Sequence, residues 1–402
     1  QSGLIDRLVE GGALVENWRV DKMATPEGVP SAAVVESRRL PLISHPGEWS
    51  FPMLRDAALL TLDTNLSALK DGFILKDASA FNVVFDGAKP VVLDVASLDP
   101  IENHRTWTAY SQFVDHFLSP LMLEAYTGMP FQPVLSTSVD GFPVRSLDLL
   151  LRGRRRYRSG VTTHVRLRSK LEKRADGMET SERSDIAGVS LPPAAIESNI
   201  RKMRNLVSNL ESPNVGLWEG YEGALPYSST EIEAKKAFVE RAVERSGDRV
   251  LALDIGANEG LFTRGLADQF DAVVGIDIDP GVSGALYTHL RSSELSNVTP
   301  LVVDISNPSP SFGFRGNERL GFVERVRPSL SMWLAVVHHL CIGQGIPLPE
   351  IVALIASTSA ESIVEFVGPT DPMVQRISAS RPASLDGYGS SEFESLLDGV
   401  FD

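Results

Sequence analysis

Short apolar runs that end at an acidic residue recur in the second half of the chain, and their length suits buried strands of a parallel sheet. Three such runs are Val250–Leu253 before Asp254, Ala272–Ile276 before Asp277, and Thr299–Val303 before Asp304. Two further strands are predicted from Ser329 and over Ile363–Val367. Because parallel strands end at the same edge of a sheet, we expect these carboxylates to meet in one crevice. The pattern predicts a doubly wound α/β domain.

The first half of the chain has helical spacing instead. Apolar residues recur at helical intervals from Pro52 to Lys70. An aromatic stripe, Trp107 to Phe117, predicts a second helix over 101–126, and such a stripe more often belongs to a core than to a binding face. A β-hairpin is predicted around 83–92. We therefore predict an α+β amino-terminal domain, and the proposed segments are an accessory domain at 1–135, a basic segment and linker at 136–190, a helical leader at 191–247 and the α/β domain at 248–402.

A glycine turn follows the first of the α/β strands. Gly256, Asn258 and Gly260 lie between Asp254 and a segment with helical spacing. Glycines let the backbone turn tightly and approach a ligand, and the following helix offers free N–H groups. A carboxylate at the end of the second strand can accept bonds from both hydroxyls of a ribose. Asp277 is our candidate, Asp279 is the fallback, and a solvated acidic turn is the alternative.

Composition places limits on the class of protein. Hydrophobic residues make up 43% and charged residues 22% of the 402 residues, as in soluble globular proteins. The only cysteine, Cys341, excludes an intrachain disulfide and a cysteine-based zinc site. No apolar run reaches the length of a membrane span, and the first 20 residues lack a signal-peptide core. We expect a cytoplasmic protein without a membrane partner, whose natural start precedes Gln1 and whose sixth strand begins near Phe401.

One stretch departs from the net charge of -14. Between Leu151 and Arg174 there are ten Lys and Arg residues and one acid, Glu172. This stretch, residues 152–174, would suit an anionic partner such as RNA or an anionic carrier. The alternatives are a solvated helix face or pairing with acids of this chain. Residues 175–189 are polar and are interpreted as a linker.

A pair of histidines, His338 and His339, follows the fourth predicted strand. A neutral imidazole can take a proton from an acceptor hydroxyl or amine. Glu365, near the end of the fifth strand, could face either ring. Metal binding would need such an acid, because no cysteine is at hand. We predict no metal, and a structural role in capping or packing is the remaining alternative.

The segment from Leu75 to Asp94 resembles the catalytic segment of kinase-like phosphotransferases. A helix, a D-x-x-x-x-N loop, a hairpin and a further Asp follow one another. The resemblance would make Asp77 the base, with Asn82 and Asp94 as Mg²⁺ ligands. No glycine-rich loop or strand lysine precedes it, so a kinase-like remnant is favoured over an active kinase. Asp77 and Asn82 capping a tight turn is the alternative.

The D-x-G-x-x-x-G turn, Asp254 to Gly260, resembles motif I of the class I S-adenosylmethionine (SAM) methyltransferases. The resemblance implies that the turn faces the methionine part of SAM, that Asp277 binds the ribose, and that Asp304 binds the adenine amino group. The cofactor contacts that it implies are Asp254, Gly256, Ala257, Asn258, Gly260, Asp277, Ile278, Asp304 and Ile305. In the same family a helical leader often covers the pocket, and its candidate contacts here are Trp218, Tyr221, Tyr227 and Lys236.

A combination of motifs resembles a group of these methyltransferases that carry an extra amino-terminal domain, some of them encoded near nodulation and natural-product genes. The motifs are Glu48-Trp49-Ser50, Leu75–Asn82, the Trp107–Phe117 stripe, and Val336–Leu340 followed by Glu365–Pro372. The expected activity is methyl transfer to an O or N acceptor of unidentified class, small molecule, protein or RNA, leaving S-adenosylhomocysteine (SAH). The rivals are a phosphotransferase using Asp77, Asn82 and Asp94, and a binding protein on a degenerate SAM fold.

Overall fold

The protein is described here by a computed structural model that covers residues 3–20, 34–176, 190–213, 229–379 and 385–401. It divides into two compact units, Gln1–Asn214 and Val215–Asp402. The predicted leader, 191–247, is divided between them, and the predicted segment boundaries stay predictions. Of the leader's candidate contacts, Trp218, Tyr221 and Tyr227 lie outside the described residues. Within the described ranges, no helix combines the length and apolar character needed to cross a bilayer.

The amino-terminal unit combines helices with short antiparallel strand pairs. Its described helices are α1 (Leu4–Glu10), α2 (Phe51–Lys70), α3 (Tyr110–Phe113), α4 (Ser119–Thr127), α5 (Gln132–Leu135), α6 (Val144–Leu150), α7 (Arg168–Asp176) and α8 (Pro193–Ser208). Its strand pairs are β1 (Asn17–Val20) with β2 (Val34–Ser37), β3 (Phe73–Leu75) with β6 (Leu98–Pro100), and β4 (Val83–Asp86) with β5 (Lys89–Val92). π-Helical segments lie at Val114–Leu118 and Val161–Leu167, and 3₁₀ turns at Pro46–Glu48, Ala80–Asn82, Val95–Ser97, Ile101–Asn103 and Gly153–Tyr157.

Helix α2 is the centre of this unit. The predicted apolar positions are buried along its length, and Pro52 lies in its first turn, where no N–H partner is lost. Helix α8 packs against it, and Arg204 binds Asp63 through two bonds of 2.6 and 3.0 Å. The helix predicted over 101–126 begins only at Tyr110, because the chain before it turns so that Trp107 can donate to the Leu75 carbonyl.

The carboxyl-terminal unit is a parallel sheet with helical crossovers. Its described helices are α9 (Ser229–Arg245), α10 (Thr263–Leu266), α11 (Pro280–Arg291), α12 (Phe322–Arg325), α13 (Leu348–Thr358), α14 (Pro372–Ser378) and α15 (Ser390–Asp398). Its strands are β7 (Leu251–Ile255), β8 (Ala272–Asp277), β9 (Val298–Val302), β10 (Leu330–Trp333) and β11 (Glu361–Val364). A π-helical segment, His339–Gly343, and a 3₁₀ turn, Phe314–Gly316, complete the described helical elements.

The strand order is β11-β10-β7-β8-β9, and every neighbouring pair is parallel. This order confirms the predicted Rossmann-like, doubly wound α/β fold. Strand β11 ends at Val364, earlier than predicted, because its partner β10 ends at Trp333. The chain runs from β7 toward β9 on one side and returns to β10 on the other, so the direction of winding reverses between β7 and β10. Ligands of open α/β sheets bind outside the strand ends at such a reversal.

Candidate functional site

A cavity of about 460 Å³ lies at the carboxyl edge of the sheet. The segments that follow β7, β8, β9 and β10 all contribute to its wall. Eight of the nine residues predicted to bind a cofactor line it, and so do both predicted histidines; the eight are Asp254, Gly256, Ala257, Asn258, Asp277, Ile278, Asp304 and Ile305. The volume lies within the range of roughly 300–1,000 Å³ that is typical of ligand sites.

The glycine turn after β7 forms the floor of the cavity. Gly256 has φ +74°, and a Cβ placed there would lie 2.9 Å from Cγ2 of Val336. A larger residue would therefore push the turn away from the segment that follows β10. Gly260 has φ +87° and does not line the cavity; its Cβ would lie 2.5 Å from Leu286 Cδ1 on α11. Gly260 thus lets the turn pack on α11.

Asp254, the residue before the last of β7, lies inside the protein. Its side chain accepts a bond of 2.6 Å from Thr263 Oγ1 in α10. Burial raises the pKa of this carboxyl to about 7, with the nearby charge of Asp277 acting in the same direction. Burial also raises the pKa of Asp277 above its usual value. Two carboxyls that resist ionisation in one cavity favour a ligand that brings positive charge.

Asp277 and Asp304 are held by backbone amides. Asp277 accepts from Asn258 N on Oδ2 (3.0 Å) and from Asp279 N on Oδ1 (2.9 Å). Asp304 accepts from the N and Oγ of Ser306, both on Oδ1, at 3.0 and 2.6 Å. The fallback residue Asp279 instead caps α11 through Gly281 N (2.8 Å). Both carboxylates thus have fixed directions and acceptor sites to spare, since each has about four lone-pair sites.

His338 is 2% exposed, yet it lines the cavity. Neither ring nitrogen has a hydrogen-bond partner among the described residues. Its ring lies 4.3 Å, centroid to centroid, from that of His339. Burial, and next the charge of His339, lower the pKa of His338 to about 4, and burial lowers that of His339. Two unpartnered nitrogens on a buried, neutral ring are costly without a ligand.

The backbone before these histidines is strained. Ala335 has φ +55°, a left-handed conformation that costs about 1–2 kcal/mol for a residue with a Cβ. The residue lies two positions after the end of β10 and lines the cavity. Strain of this kind persists where the surrounding structure holds it, and such residues cluster at functional sites. The turn at Ala335 directs the chain into the cavity wall that His338 occupies.

Several lining residues have no signal in the sequence. Lys235 of α9 lines the cavity, lies 5.2 Å from the Phe262 ring centroid and binds Glu365 Oε2 at 2.6 Å. Its neighbour Lys236, the predicted contact, is exposed and is not a lining residue. Asp371 lines the cavity and caps α14 through Met373 N (2.8 Å). These residues are far apart in the chain, so only the fold brings them together.

Glu365 does not line the cavity. Its carboxylate binds Lys235, and its backbone N donates to the Trp333 carbonyl at 3.0 Å, beyond the last residue of β11. The role predicted for it, facing His338 or His339, stays a prediction. An ion pair with a lining lysine nevertheless places Glu365 where it can position Lys235.

The kinase-like segment of the amino-terminal unit has a different geometry. Asp77 Oδ1 accepts from Ser79 N (2.9 Å), and Asp94 Oδ1 accepts from Ala96 N (2.8 Å). Leu93 N donates to the Asn82 carbonyl (2.8 Å), so Asn82 lies beside the end of β5. Each carboxylate thus makes a tight turn with an amide two residues on. Across the described part of the chain, no three His, Cys, Asp or Glu side chains form a group able to hold a metal ion.

No protein-family model matches the sequence. The chain is 32% identical over 371 residues to the nodulation protein NoeA of Rhizobium meliloti (strain 1021), covering 91% of this chain and 77% of that protein. The magnesium protoporphyrin IX methyltransferase ChlM of Synechocystis PCC 6803, solved with bound SAH, aligns at 14% identity over 42% of this chain and 70% of its own, with a TM-score of 0.30. The bifunctional kinase-methyltransferase WbdD aligns at 19% identity over 46% and 39%, with a TM-score of 0.29.

Proposed function

The chain belongs to the family of the nodulation protein NoeA, and we propose that its carboxyl-terminal unit binds SAM and transfers the methyl group to an oxygen or nitrogen acceptor. One observation carries the proposal. Asp254, Asp277 and Asp304 lie at the carboxyl ends of three neighbouring strands and line one cavity at the point where the winding of the sheet reverses. The glycine turn that resembles motif I lies in the same wall.

The residues of the cavity fit the parts of SAM. The backbone amides of Asn258 and Asp279 each occupy one acceptor site of the Asp277 carboxylate. The remaining acceptor sites suit the two ribose hydroxyls. Ile278 and Ile305 offer apolar surface for the adenine ring, and Asp304 can accept from its amino group. The turn at Gly256 and the carboxyl of Asp254 lie where the cationic methionine part would bind. A neighbouring positive charge stabilises the ionised form of a carboxyl whose pKa is raised by burial.

His338 is the group that we assign to the acceptor. SAM supplies an electrophilic methyl carbon on a sulfonium sulfur, and the C–S bond breaks toward sulfur as the acceptor attacks. The acceptor must lose its proton in the process. Burial lowers the pKa of His338 to about 4, so its ring is neutral near pH 7 and an unpartnered nitrogen can accept a hydrogen bond from the acceptor. A pKa this low makes the ring a weak base, but the acceptor becomes a stronger acid as the methyl group is transferred, so the ring can take its proton at that point. His339, in contact with this ring, is the alternative base.

Phosphotransfer and simple binding have less support. Between Gln1 and Asp77 the sequence has no glycine-rich loop and no strand lysine, the two features with which kinase-like phosphotransferases hold the nucleotide. A binding protein on a degenerate fold has no need for a strained turn at Ala335 and an unpartnered buried His338 in its cavity. A cytoplasmic location also belongs to the proposal, because a lone cysteine suits a reducing compartment.

Calorimetric titration of the full chain with SAM, with SAH, and with ATP and Mg²⁺ tests the proposal. We expect SAM and SAH to bind with micromolar dissociation constants and one site per chain. ATP with Mg²⁺ should give no heat of binding. A folded sample that binds neither SAM nor SAH would overturn the proposal, and ATP binding in their place would favour the phosphotransferase alternative.

A further inference from the structure

The single acid of the basic stretch is paired with two arginines. Glu172 accepts from Arg168 Nε (2.7 Å) and from Arg145 Nε (3.2 Å). Arg168 also donates to Asp115 Oδ2 (2.5 Å) and to the Ser111 carbonyl (3.0 Å). Among the residues that the structure describes, none of the other nine Lys and Arg residues of 152–174 forms an ion pair. The outer surface of the stretch therefore keeps its positive charge.

The same stretch carries leucines that are exposed to solvent and are not buried in the core. Val161 and Val165 supply the buried face of the π-helical segment and are fully covered. Leu167 and Leu171 lie one helical turn apart and are 53% and 52% exposed. Lys170 and Lys173, also exposed, lie beside them along the chain. The exposed side of this segment therefore carries leucines and lysines together.

Neighbouring elements extend this surface. Helix α6 packs against the Val161–Leu167 segment and against α7, and the Gly153–Tyr157 turn packs against the same segment. Leu149 and Leu150 at the end of α6 are exposed, and Tyr157 is 81% exposed within the arginine run. We define the basic-apolar surface as these apolar residues and the exposed cations, namely Leu149, Leu150, Tyr157, Leu167, Leu171, Arg152, Arg154, Arg155, Arg158, Lys170, Lys173 and Arg174.

We propose that the basic-apolar surface docks the protein on an anionic lipid bilayer. Lys and Arg side chains bind acidic headgroups, while protruding leucines and a tyrosine enter the headgroup and acyl boundary. The expectation of no membrane partner rested on the absence of an apolar span, and surface docking requires none. The remaining chain is strongly acidic, since the net charge is -14 despite this stretch. Anionic lipid would therefore attract this stretch and repel the acidic remainder of the chain.

Two other partners fit the surface less well. Nucleic acid binding uses cations and aromatic stacking, and exposed leucines add nothing to phosphate contacts. Tyr157 is the aromatic residue of this surface, beside four leucines. A protein partner fits less well because protein–protein interfaces are depleted of Lys, whereas Lys170 and Lys173 lie beside Leu167 and Leu171. An anionic bilayer is the partner that can bind protruding aliphatic side chains and cations together.

Flotation of the full chain with vesicles tests the proposal. Phosphatidylcholine vesicles with and without phosphatidylglycerol are compared at low and high salt. The lysine variant Lys170→Gln/Lys173→Gln should lower the partition coefficient on anionic vesicles about 25-fold, since each cation is worth about fivefold. Lys89→Gln/Lys202→Gln, at two exposed lysines outside the surface, is the matched control. The leucine variant Leu167→Ser/Leu171→Ser keeps every charge and should lower partitioning at least tenfold, and Val35→Ser is its control.

The outcomes separate the partners. Binding to anionic vesicles that weakens in both surface variants and in neither control supports the proposal. Absence of binding to anionic vesicles overturns it. Binding that the leucine variant leaves unchanged, and that double-stranded RNA or heparin competes away, assigns the surface to a polyanion instead. Circular dichroism of each variant verifies folding, and these exposed sites should tolerate the changes. Calorimetric SAM binding by the leucine variant keeps this result separate from the methyltransferase proposal.

Discussion

Two regions of the chain carry acids in the pattern of a catalytic site, but the acids of only one region line a common cavity. In the kinase-like segment, Asp77 and Asp94 are part-exposed, and each caps its own turn. At the carboxyl edge of the sheet, Asp277 and Asp304 also accept local amides, yet they share a cavity with the buried Asp254. Local capping therefore does not distinguish a site from a turn. What distinguishes them is that parallel strands end together, so that side chains distant in sequence enclose one volume.

The histidine at that edge should show the largest effect. We expect His338→Asn to lower the rate of SAH formation at least about 100-fold, the lower end for loss of a general base. SAM affinity should change less than twofold, because the ring faces the acceptor. His289→Asn, at an exposed histidine on α11, is the control. The measurement is SAH release with any acceptor fraction that supports turnover; equal losses of rate and SAM affinity would assign His338 to the cofactor.

Two glycines allow the cost of backbone strain to be measured apart from the cost of steric overlap. Gly260 and Gly72 both have positive φ, +87° and +79°, but only the Cβ added at Gly260 meets other atoms. We expect Gly72→Ala to lower the free energy of unfolding by about 1 kcal/mol. Gly260→Ala should lower it by about 2–4 kcal/mol, because overpacking against Leu286 adds to the strain. Urea denaturation measures both values, and equal losses would show that Leu286 moves aside without cost.

The pH dependence of SAM affinity should depend on Asp254. Its pKa of about 7 makes it neutral at pH 6 and charged at pH 8, so a cationic ligand should bind more tightly as the pH rises. The affinity should rise about tenfold for each unit by which SAM lowers this pKa. Calorimetric titration between pH 6 and 8 measures the slope, and Asp254→Asn should flatten it. The same slope in both proteins would place the titrating group elsewhere.

The same carboxyl affects folding with the opposite sign. Because the pKa of Asp254 is raised from 3.8 to about 7 in the folded protein, the unfolded chain loses this proton first. Its contribution to stability is therefore largest below about pH 4 and is lost as the pH rises toward 7. Asp254→Asn removes this pH-dependent loss. The free energy of unfolding of the variant, relative to that of the protein with Asp254, should therefore be higher at pH 8 than at pH 5. Urea denaturation at the two pH values provides the measurement.

The sequence predicted the strands and their acids because burial and strand ends leave a local pattern. An apolar run closed by Asp appears at Asp254, Asp277 and Asp304, and all three line the cavity. Lys235 was missed by one position, because the resemblance placed the leader over the pocket but selected its neighbour Lys236. Asp371 was missed because nothing near it in sequence indicates that the α14 cap faces the sheet edge. Gly260 belongs to the motif but serves packing, which depended on the position of Leu286. Tertiary contacts of this kind cannot be read from spacing.

We propose that the sheet edge, and not the kinase-like segment, holds the nucleoside ligand. Calorimetric titration with SAM of two matched variants, Asp277→Asn and Asp77→Asn, tests it most directly. Replacing a carboxylate that accepts charge-assisted bonds should cost about 1.5–3 kcal/mol, or roughly 10- to 100-fold in affinity. We expect that loss in Asp277→Asn and an unchanged dissociation constant in Asp77→Asn. Unchanged SAM binding in Asp277→Asn, or an equal loss in both, would contradict the account.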